Sequence, residues 1–318
     1  MTSRDLIAAP LIVGPTAGGK SALAMGVAEE LDLRGMGGAE IVSADAFQIY
    51  RGMDIGTAKP TACERRRVAH HVIDIREPTQ PYTVHEWLCD AEKAMAEIRG
   101  RGAVPIVAGG THLYAKALLE GLFEGPEPDA AIRKGLHGMD LASLRAELER
   151  VDPAAAARIH PNDRRRTTRA LEVFRQTGRP ISEHQRQWDS EGGGRGDVLL
   201  VGIWWEATEI NRRINARVKQ MVEAGLVDEA RGLWEAGLLG TQAREALGYK
   251  QLIEHFEGRL TLEEAVEQIK IQTRRFAKNQ RTWLRRLAAG AGPRAMWIEG
   301  AALNGRTSEV VDRLYGKV

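Results

Sequence analysis

The feature that most constrains this chain is the octapeptide at residues 14–21, which lies between an apolar run and a helix-forming segment. Its sequence matches the pattern G-x-x-x-x-G-K-[ST], in which backbone amides and a helix N-terminus surround phosphate oxygens. In this pattern Lys20 supplies a point charge and the Ser21 hydroxyl is a Mg²⁺ ligand. We therefore predict a phosphate-binding loop formed by Gly14, Pro15, Thr16, Ala17, Gly18, Gly19, Lys20 and Ser21.

Apolar runs and helix-forming segments alternate around this loop. Short buried strands are predicted at residues 9–14, 39–45, 103–110, 197–205 and 295–300. The alternation predicts an α/β fold, with a P-loop-type parallel sheet core flanked by helices. Ligands of such sheets bind at the carboxyl ends of the strands, so we expect the exits of the first three strands to face one crevice.

The predicted secondary structure changes from alternating strands and helices to helices alone near Gly125. A turn-rich break is followed by mostly helical residues at 130–187, and a glycine run at 192–194 precedes the next strand. We predict an α/β core in two parts, 1–124 and 197–318, which is interrupted by a helical insertion domain at 125–196. The second part begins with a strand and continues with helices over 208–288.

Composition excludes several classes of protein. Of the 318 residues, 43% are hydrophobic and 28% are charged, which is ordinary for a globular protein. No apolar run approaches the roughly 20 residues that span a bilayer, and the N-terminus lacks a signal-peptide profile. Two cysteines are too few for a disulfide framework. We expect a cytoplasmic monomer without a membrane partner.

Asp45 ends the second predicted strand, beside the phosphate loop. Such a carboxylate can bind metal, accept a proton from a nucleophile, or cap a turn. An ordinary nucleotide hydrolase would place an acidic residue after its best apolar strand, but here that strand ends in glycines and Thr111. Phosphoryl transfer from a nucleotide and chemistry on another diphosphate both stay open at this point.

The positive charge is clustered, although the net charge is only +2. If residues 262–287 form a helix, five basic residues spaced by three or four positions form one stripe: Lys270, Arg274, Lys278, Arg281 and Arg285. A solvated helix face is the ordinary explanation of such a pattern. However, residues 270–286 contain no acidic residue, which favours binding to the phosphates of a nucleic acid.

The run from Ser43 to Pro60 closely resembles the signature of the tRNA dimethylallyltransferases, which modify an adenine beside the tRNA anticodon. The resemblance continues in order through HHVIDI (70–75), AGGTHLY (108–114), HPND and RALEV (160–173), RINARV (213–218), ALGYKQ (246–251) and KNQRTWLRR (278–286). One departure is Ala46, where many members have Ser. The zinc-finger extension of eukaryotic members is absent, so the sequence fits the bacterial type.

The resemblance implies a reaction. The N6 amine of the adenine at position 37, on the 3′ side of the anticodon, attacks the allylic carbon of dimethylallyl diphosphate, and pyrophosphate leaves. Asp45 is then the general base, Thr111 is a contact in the reaction channel, and Arg217 binds the pyrophosphate. On spacing alone, Arg217 would be a solvated helix residue. Mg²⁺, bound at Ser21, is the implied cofactor.

The resemblance also implies contacts with the tRNA anticodon stem-loop. These are Asp45, Ala46, Phe47, Gln48, Thr111, Arg133, Arg165, Arg166, Thr167, Thr168, Arg169, Gly248, Tyr249, Lys250, Lys278 and Arg281. A modifying enzyme must extrude its target base, and Phe47, Gln48 and Tyr50 are candidates for gripping it, although aromatic residues there could be core.

Three other functions use part of the same residues. They are an enzyme that prenylates free adenine nucleotides, a small-molecule P-loop kinase, and a nucleotide-dependent RNA-binding switch without chemistry. The kinase explains neither the basic helix nor the insertion, and Asp45 and Arg217 argue against the switch. The basic stripe and the segment 165–169 favour tRNA over a free nucleotide.

Overall fold

A computed structural model describes residues 8–122, 125–127, 129–185, 197–290, 295–303 and 305–316. The chain divides into two compact units, one made of residues 1–119 and 195–318 and the other of residues 120–194. The second unit overlaps the predicted insertion. Among the described helices, none has the length and apolar character that a membrane-crossing segment requires.

The first unit is built on a six-stranded sheet with strand order β3-β2-β4-β1-β5-β6. Its strands are β1 (Ala9–Val13), β2 (Ala39–Ser43), β3 (His70–His71), β4 (Val104–Gly109), β5 (Val198–Trp204) and β6 (Ala295–Glu299). Every pairing is parallel. The predicted α/β fold with a parallel sheet is confirmed. The short edge strand β3 was not predicted, because two paired residues leave no apolar run.

Helices cover this sheet. Those before the second unit are α1 (Lys20–Leu33), α2 (Ala62–Arg67), α3 (Val84–Gly100) and α4 (His112–Glu120). Helices α2 and α3 each begin with a capping box, in which the threonine N-cap and a glutamate three residues later satisfy each other's backbone amides. Helix α3 buries Trp87, Ala91, Ala94, Met95 and Ile98 against the sheet.

The second unit contains α5 (Ala130–His137), α6 (Leu141–Val151), α7 (Pro153–Arg158), α8 (Arg164–Thr177) and α9 (Ile181–His184). An aspartate caps the N-terminus of each of the first four: Asp129, Asp140, Asp152 and Asp163. The unit has its own apolar core, which includes Leu136, Leu144, Leu148 and Leu171.

The chain then returns to the first unit and forms α10 (Ala207–Glu223), α11 (Leu226–Glu235), α12 (Tyr249–Phe256), α13 (Leu262–Gly290) and α14 (Thr307–Leu314). The predicted helix at 262–287 is confirmed as the 29-residue α13, which packs against both α10 and α12. Its buried residues include Ile269, Ala277 and Leu284, together with one polar side chain, Gln280.

Candidate active site

Three strand exits lie side by side at one edge of the sheet. Strand β1 leads into the phosphate loop, β2 leads to Asp45, and β4 leads to Gly110 and Thr111. These three strands are neighbours in the sheet, so the predicted common crevice is confirmed. Strand β2 ends two residues earlier than predicted, at Ser43, and Asp45 lies in the turn that follows.

The phosphate loop turns tightly between β1 and α1. The Gly18 N–H donates a 3.0 Å hydrogen bond to the Pro15 carbonyl, and a Cβ at Gly18 would lie only 2.7 Å from that oxygen. Ala17 and Gly19 adopt left-handed backbone conformations, with φ of 59° and 90°. The loop thus needs glycine at position 18, where any side chain would meet its own backbone.

Two side chains from beyond β5 hold this loop from one side. The Trp205 Nε1–H donates to the Gly18 carbonyl at 2.9 Å, and the Arg213 Nε–H donates to the Ala17 carbonyl at 2.9 Å. The Arg213 guanidinium also lies 4.5 Å from the centre of the Trp205 ring. The Gly18 carbonyl and the Gly19 N–H belong to one trans peptide and point in opposite directions, so the Gly19 N–H points away from Trp205. Neither residue was predicted from the sequence, although Arg213 lies one turn from Arg217.

Lys20, Arg217 and Asp45 form an electrostatically coupled group. Burial lowers the pKa of Lys20, the positive charge of Arg217 adds to this effect and Asp45 opposes both, so the pKa falls from 10.5 to about 8. Burial likewise lowers the pKa of Arg217, against the effect of Asp45. The Lys20 ammonium donates to the Pro15 carbonyl at 2.9 Å. Arg217 is half-buried, so it differs from the solvated residue that spacing alone would predict.

Asp45 caps the turn that follows β2. Its Oδ1 accepts hydrogen bonds from the backbone N–H of Phe47 at 2.9 Å and of Gln48 at 3.4 Å. The turn-capping alternative for this residue is therefore correct as far as it goes. The same carboxylate also lies within the field of Lys20 and Arg217, so capping does not exclude a chemical role.

Thr111 ties the exits of β2 and β4 together. Its hydroxyl oxygen accepts from the Ala46 N–H at 3.1 Å, and its own N–H donates to the Ala44 carbonyl at 3.3 Å. A Cβ at Gly109 would lie 2.0 Å from the Ala44 oxygen, and one at Gly110 would lie 3.3 Å from the Lys20 ammonium. The two glycines before Thr111 thus permit the close approach that the sequence suggested.

Gln280 is a site residue that was not predicted from the sequence. It comes from α13 and is only 2% exposed. Its Oε1 accepts from the Thr16 N–H at 2.8 Å, and its Nε2 donates to the Gly110 carbonyl at 2.8 Å. Gln280 lies four positions before the buried Leu284, on the apolar face of the helix. A polar residue on that face was the one sequence feature that could have indicated a buried hydrogen-bonding role.

The segment after Asp45 is braced internally. The Gln48 amide accepts from the Ser43 hydroxyl and donates to the carbonyls of Thr57 and Ala58, so it holds this segment together. Its role as a base contact stays a prediction. Tyr50 is fully buried and belongs to the core, which corrects its assignment as a base contact. Phe47 is half-buried.

The GYK segment braces the same region from α11 and α12. Tyr249 is fully buried, and its hydroxyl donates to Glu229. Glu229 also accepts from the backbone N–H groups of Asp54, Ile55 and Gly56, at 2.9, 2.8 and 3.1 Å. The Tyr249 side chain is buried, which corrects its assignment as a direct tRNA contact. Gly248 is also buried but has no side chain, and its assignment stays a prediction. Lys250 is exposed and pairs with Glu245.

In the second unit the predicted tRNA contacts separate into two groups. Arg165 and Arg166 are exposed. Thr167 and Thr168 are 0% and 6% exposed, so their assignment as tRNA contacts is wrong, because they lie on the buried face of α8. Two more predicted contacts, Arg133 and Arg169, bind the fully buried carboxylate of Glu172, at 2.8 and 2.7 Å.

The basic stripe lies along α13 and borders a groove of about 460 Å³ between α10 and α13. Lys278 and Arg285 are exposed, and Arg281 is half-buried. The expectation that the stripe lacks an acidic partner is wrong at its first turn, because Glu267 pairs with Lys270 and Arg274. Glu267 lies just before residues 270–286, the segment that contains no acidic residue.

Comparison with known proteins agrees with this architecture. The family model described as IPP transferase matches residues 48–287. The chain belongs to the IPP transferase family. It is 45% identical over 298 residues to the tRNA dimethylallyltransferase of Geobacter metallireducens, with 91% of each chain covered.

Two solved structures of this kind are also similar. The tRNA isopentenylpyrophosphate transferase of Bacillus halodurans matches with a TM-score of 0.69 and 36% identity, covering 98% of this chain and 96% of that one. A eukaryotic dimethylallyltransferase acting on tRNA matches with a TM-score of 0.79 and 26% identity, covering 96% of this chain and 77% of that one.

Proposed function

We propose that this protein is a tRNA dimethylallyltransferase. It transfers the dimethylallyl group from dimethylallyl diphosphate to N6 of the adenine at position 37, and releases pyrophosphate. The relatives' names support the reaction class. The observation that carries the proposal is that the charge of Asp45 acts on both Lys20 and Arg217, so a carboxylate lies near the two cations proposed to hold the diphosphate.

The chemistry needs a base for the acceptor and cations for the leaving group. The N6 lone pair is delocalised into the adenine ring, so the amine attacks well only when a carboxylate takes its proton, which is the role of Asp45. The new N6–C bond forms as the allylic C–O bond breaks, and the electron pair of that bond leaves with pyrophosphate. Lys20, Arg217 and the loop amides stabilise this charge.

Mg²⁺ fits the residues at the loop. Among the described residues, no group of three or more His, Cys, Asp or Glu side chains could hold a metal ion. The exposed Ser21 hydroxyl would be the protein ligand of the ion, and the diphosphate would supply further oxygens. When bound, the ion neutralises charge on the leaving pyrophosphate.

The tRNA contacts in this proposal come from cationic side chains. On α13 these are the exposed Lys278 and Arg285 and the half-buried Arg281, and in the second unit they are the exposed Arg165 and Arg166. Arg133 and Arg169 retain exposed area beside Glu172 and join this set.

One assay separates this function from its alternatives. The purified protein is incubated with Mg²⁺ and labelled dimethylallyl diphosphate, with unmodified tRNA in one arm and AMP in the other. Label in tRNA supports the proposal. Label in AMP alone would indicate prenylation of free nucleotides, and turnover of ATP without prenyl transfer would indicate a kinase.

The proposal also includes a cytoplasmic monomer. Light scattering during size-exclusion chromatography measures its mass against the 35.0 kDa of one chain. A mass near 70 kDa, twice that value, would contradict the monomer.

A further inference from the structure

Gln280 forms a bridge that no other described side chain makes. Its single amide group joins the backbone of the phosphate loop, at Thr16, to the backbone at the exit of β4, at Gly110. The two positions lie 264 and 170 residues away in sequence. Both hydrogen bonds are 2.8 Å long, and the side chain is 2% exposed.

This position needs a side chain that is both a hydrogen-bond acceptor and a donor. Thr16 presents an N–H, which needs an acceptor, while Gly110 presents a carbonyl, which needs a donor. A primary amide offers both, whereas an ionised carboxylate is an acceptor only and leucine offers neither. Because the site is buried, losing either partner leaves a backbone group without a hydrogen bond.

The two bridged positions are those that align the two halves of the candidate site. Thr16 lies within the loop that encloses the diphosphate. Gly110 precedes Thr111, whose hydroxyl holds the backbone next to Asp45. A Cβ at Gly110 would lie 2.6 Å from the Gln280 Nε2 and 3.3 Å from the Lys20 ammonium, so the three groups are closely packed.

We propose that Gln280 is a positioning residue for the diphosphate donor. It sets the phosphate loop against the turn that carries Thr111, and it acts through these backbone groups without touching the reacting atoms. This inference rests on the proposed function for the identity of the donor. A binding measurement with pyrophosphate tests the positioning role of Gln280 without assuming the identity of the donor.

The test measures binding of inorganic pyrophosphate with Mg²⁺ by calorimetry, for the native chain and for Gln280→Leu and Gln280→Glu. We expect both variants to bind about 10-fold more weakly at pH 8, since each leaves a buried backbone group unpaired. Affinity for tRNA changes less than about 2-fold, because the exposed cations of α13 are retained. Gln268→Leu and Gln268→Glu, at an exposed position of the same helix, serve as matched controls.

A pH series separates positioning from packing. A protonated glutamic acid is both donor and acceptor, so the defect of Gln280→Glu relative to the native chain shrinks as the pH falls from 8 to 6, while that of Gln280→Leu does not. Pyrophosphate affinities of both variants within about 2-fold of the native chain at pH 8 would overturn the inference. If the native chain binds pyrophosphate but modifies no tRNA, the proposed function fails and the result for Gln280 stands.

Discussion

At the scale of single residues, the candidate site depends on charges that are held partly out of water. Lys20 and Arg217 both have lowered pKa values because burial disfavours their charged forms. A diphosphate would supply the missing counter-charge. The site is thus poised for an anion, at some expense to the stability of the unliganded protein.

Lys20→Met is expected to stabilise the empty protein and to weaken pyrophosphate binding. Since the pKa of Lys20 is lowered from 10.5 to about 8, the unfolded chain holds more protons between these values, and stability rises with pH across that interval. Below pH 8 the buried ammonium is destabilising, so the variant gains about 1–3 kcal/mol at pH 7. Urea unfolding at pH 7 and 10.5 measures the gain, which should vanish at the higher pH.

The exposed Lys219→Met is the control for this experiment. It should show no gain that depends on pH in this range. An equal gain at both pH values for Lys20→Met would mean that charge burial is not the cause.

Asp45→Asn tests the general base without disturbing the turn. An asparagine oxygen can still accept from the Phe47 N–H, so the backbone is preserved. We expect transfer to tRNA to fall about 10²–10⁴-fold in single-turnover assays, because the proton acceptor is lost. Binding of tRNA, measured by filter retention, should stay the same. A variant that transfers at the native rate would show that Asp45 is not the base.

At the scale of elements, acidic side chains fix neighbouring cations and backbone. Glu172 on α8 is fully buried and holds Arg133 and Arg169, and Arg169 pairs with it across one helical turn. The half-buried Glu229 holds the backbone at residues 54–56. Arg133 and Arg169 are therefore oriented before any ligand arrives.

Glu172→Gln is expected to destabilise the second unit. The carboxylate accepts from two arginines and from the Asp129 N–H, so the amide leaves at least one donor unpaired. Since both arginines are partly exposed, we expect a loss of about 1–2 kcal/mol, below the value for a fully buried pair. Urea unfolding measures it. Glu149→Gln, which affects an exposed glutamate paired with Arg145, should cause little change.

Lys278→Ala tests whether α13 contacts phosphates. The slope of log affinity for tRNA against log salt concentration should become shallower by about one unit, because one fewer counterion is released. Fluorescence titrations at several salt concentrations measure this slope. Lys219→Ala, at an exposed position on α10, is the matched control, and equal slopes for both variants would contradict the assignment.

At the scale of the whole molecule, strand order brings together groups that are far apart in sequence. Strands β2, β4 and β1 are adjacent, so Asp45, Thr111 and the phosphate loop meet at one edge of the sheet. Residues from the second part of the chain then complete the site, with Trp205 and Arg213 on one side of the loop and Gln280 at Thr16.

Much of this could be predicted because local patterns carry it. The phosphate loop has a fixed spacing, buried strands appear as apolar runs, and α13 has a helical period in its charges. The resemblance to a known family added Arg217, which spacing alone would have placed in solvent. Tyr50, Thr167 and Thr168 were misassigned, since a motif shows that residues are important without showing whether they face a ligand or the core.

The sequence by itself determined the phosphate-binding loop, the parallel α/β core and the basic character of α13, because each depends on residues close together in the chain. Only the tertiary structure decided which polar side chains are buried and what they hold. Gln280 bonds to Thr16 across 264 residues, and no local pattern marks such a pair. The pair forms because a buried backbone N–H needs a hydrogen-bond acceptor, and the fold brings the Gln280 side chain next to the N–H of Thr16.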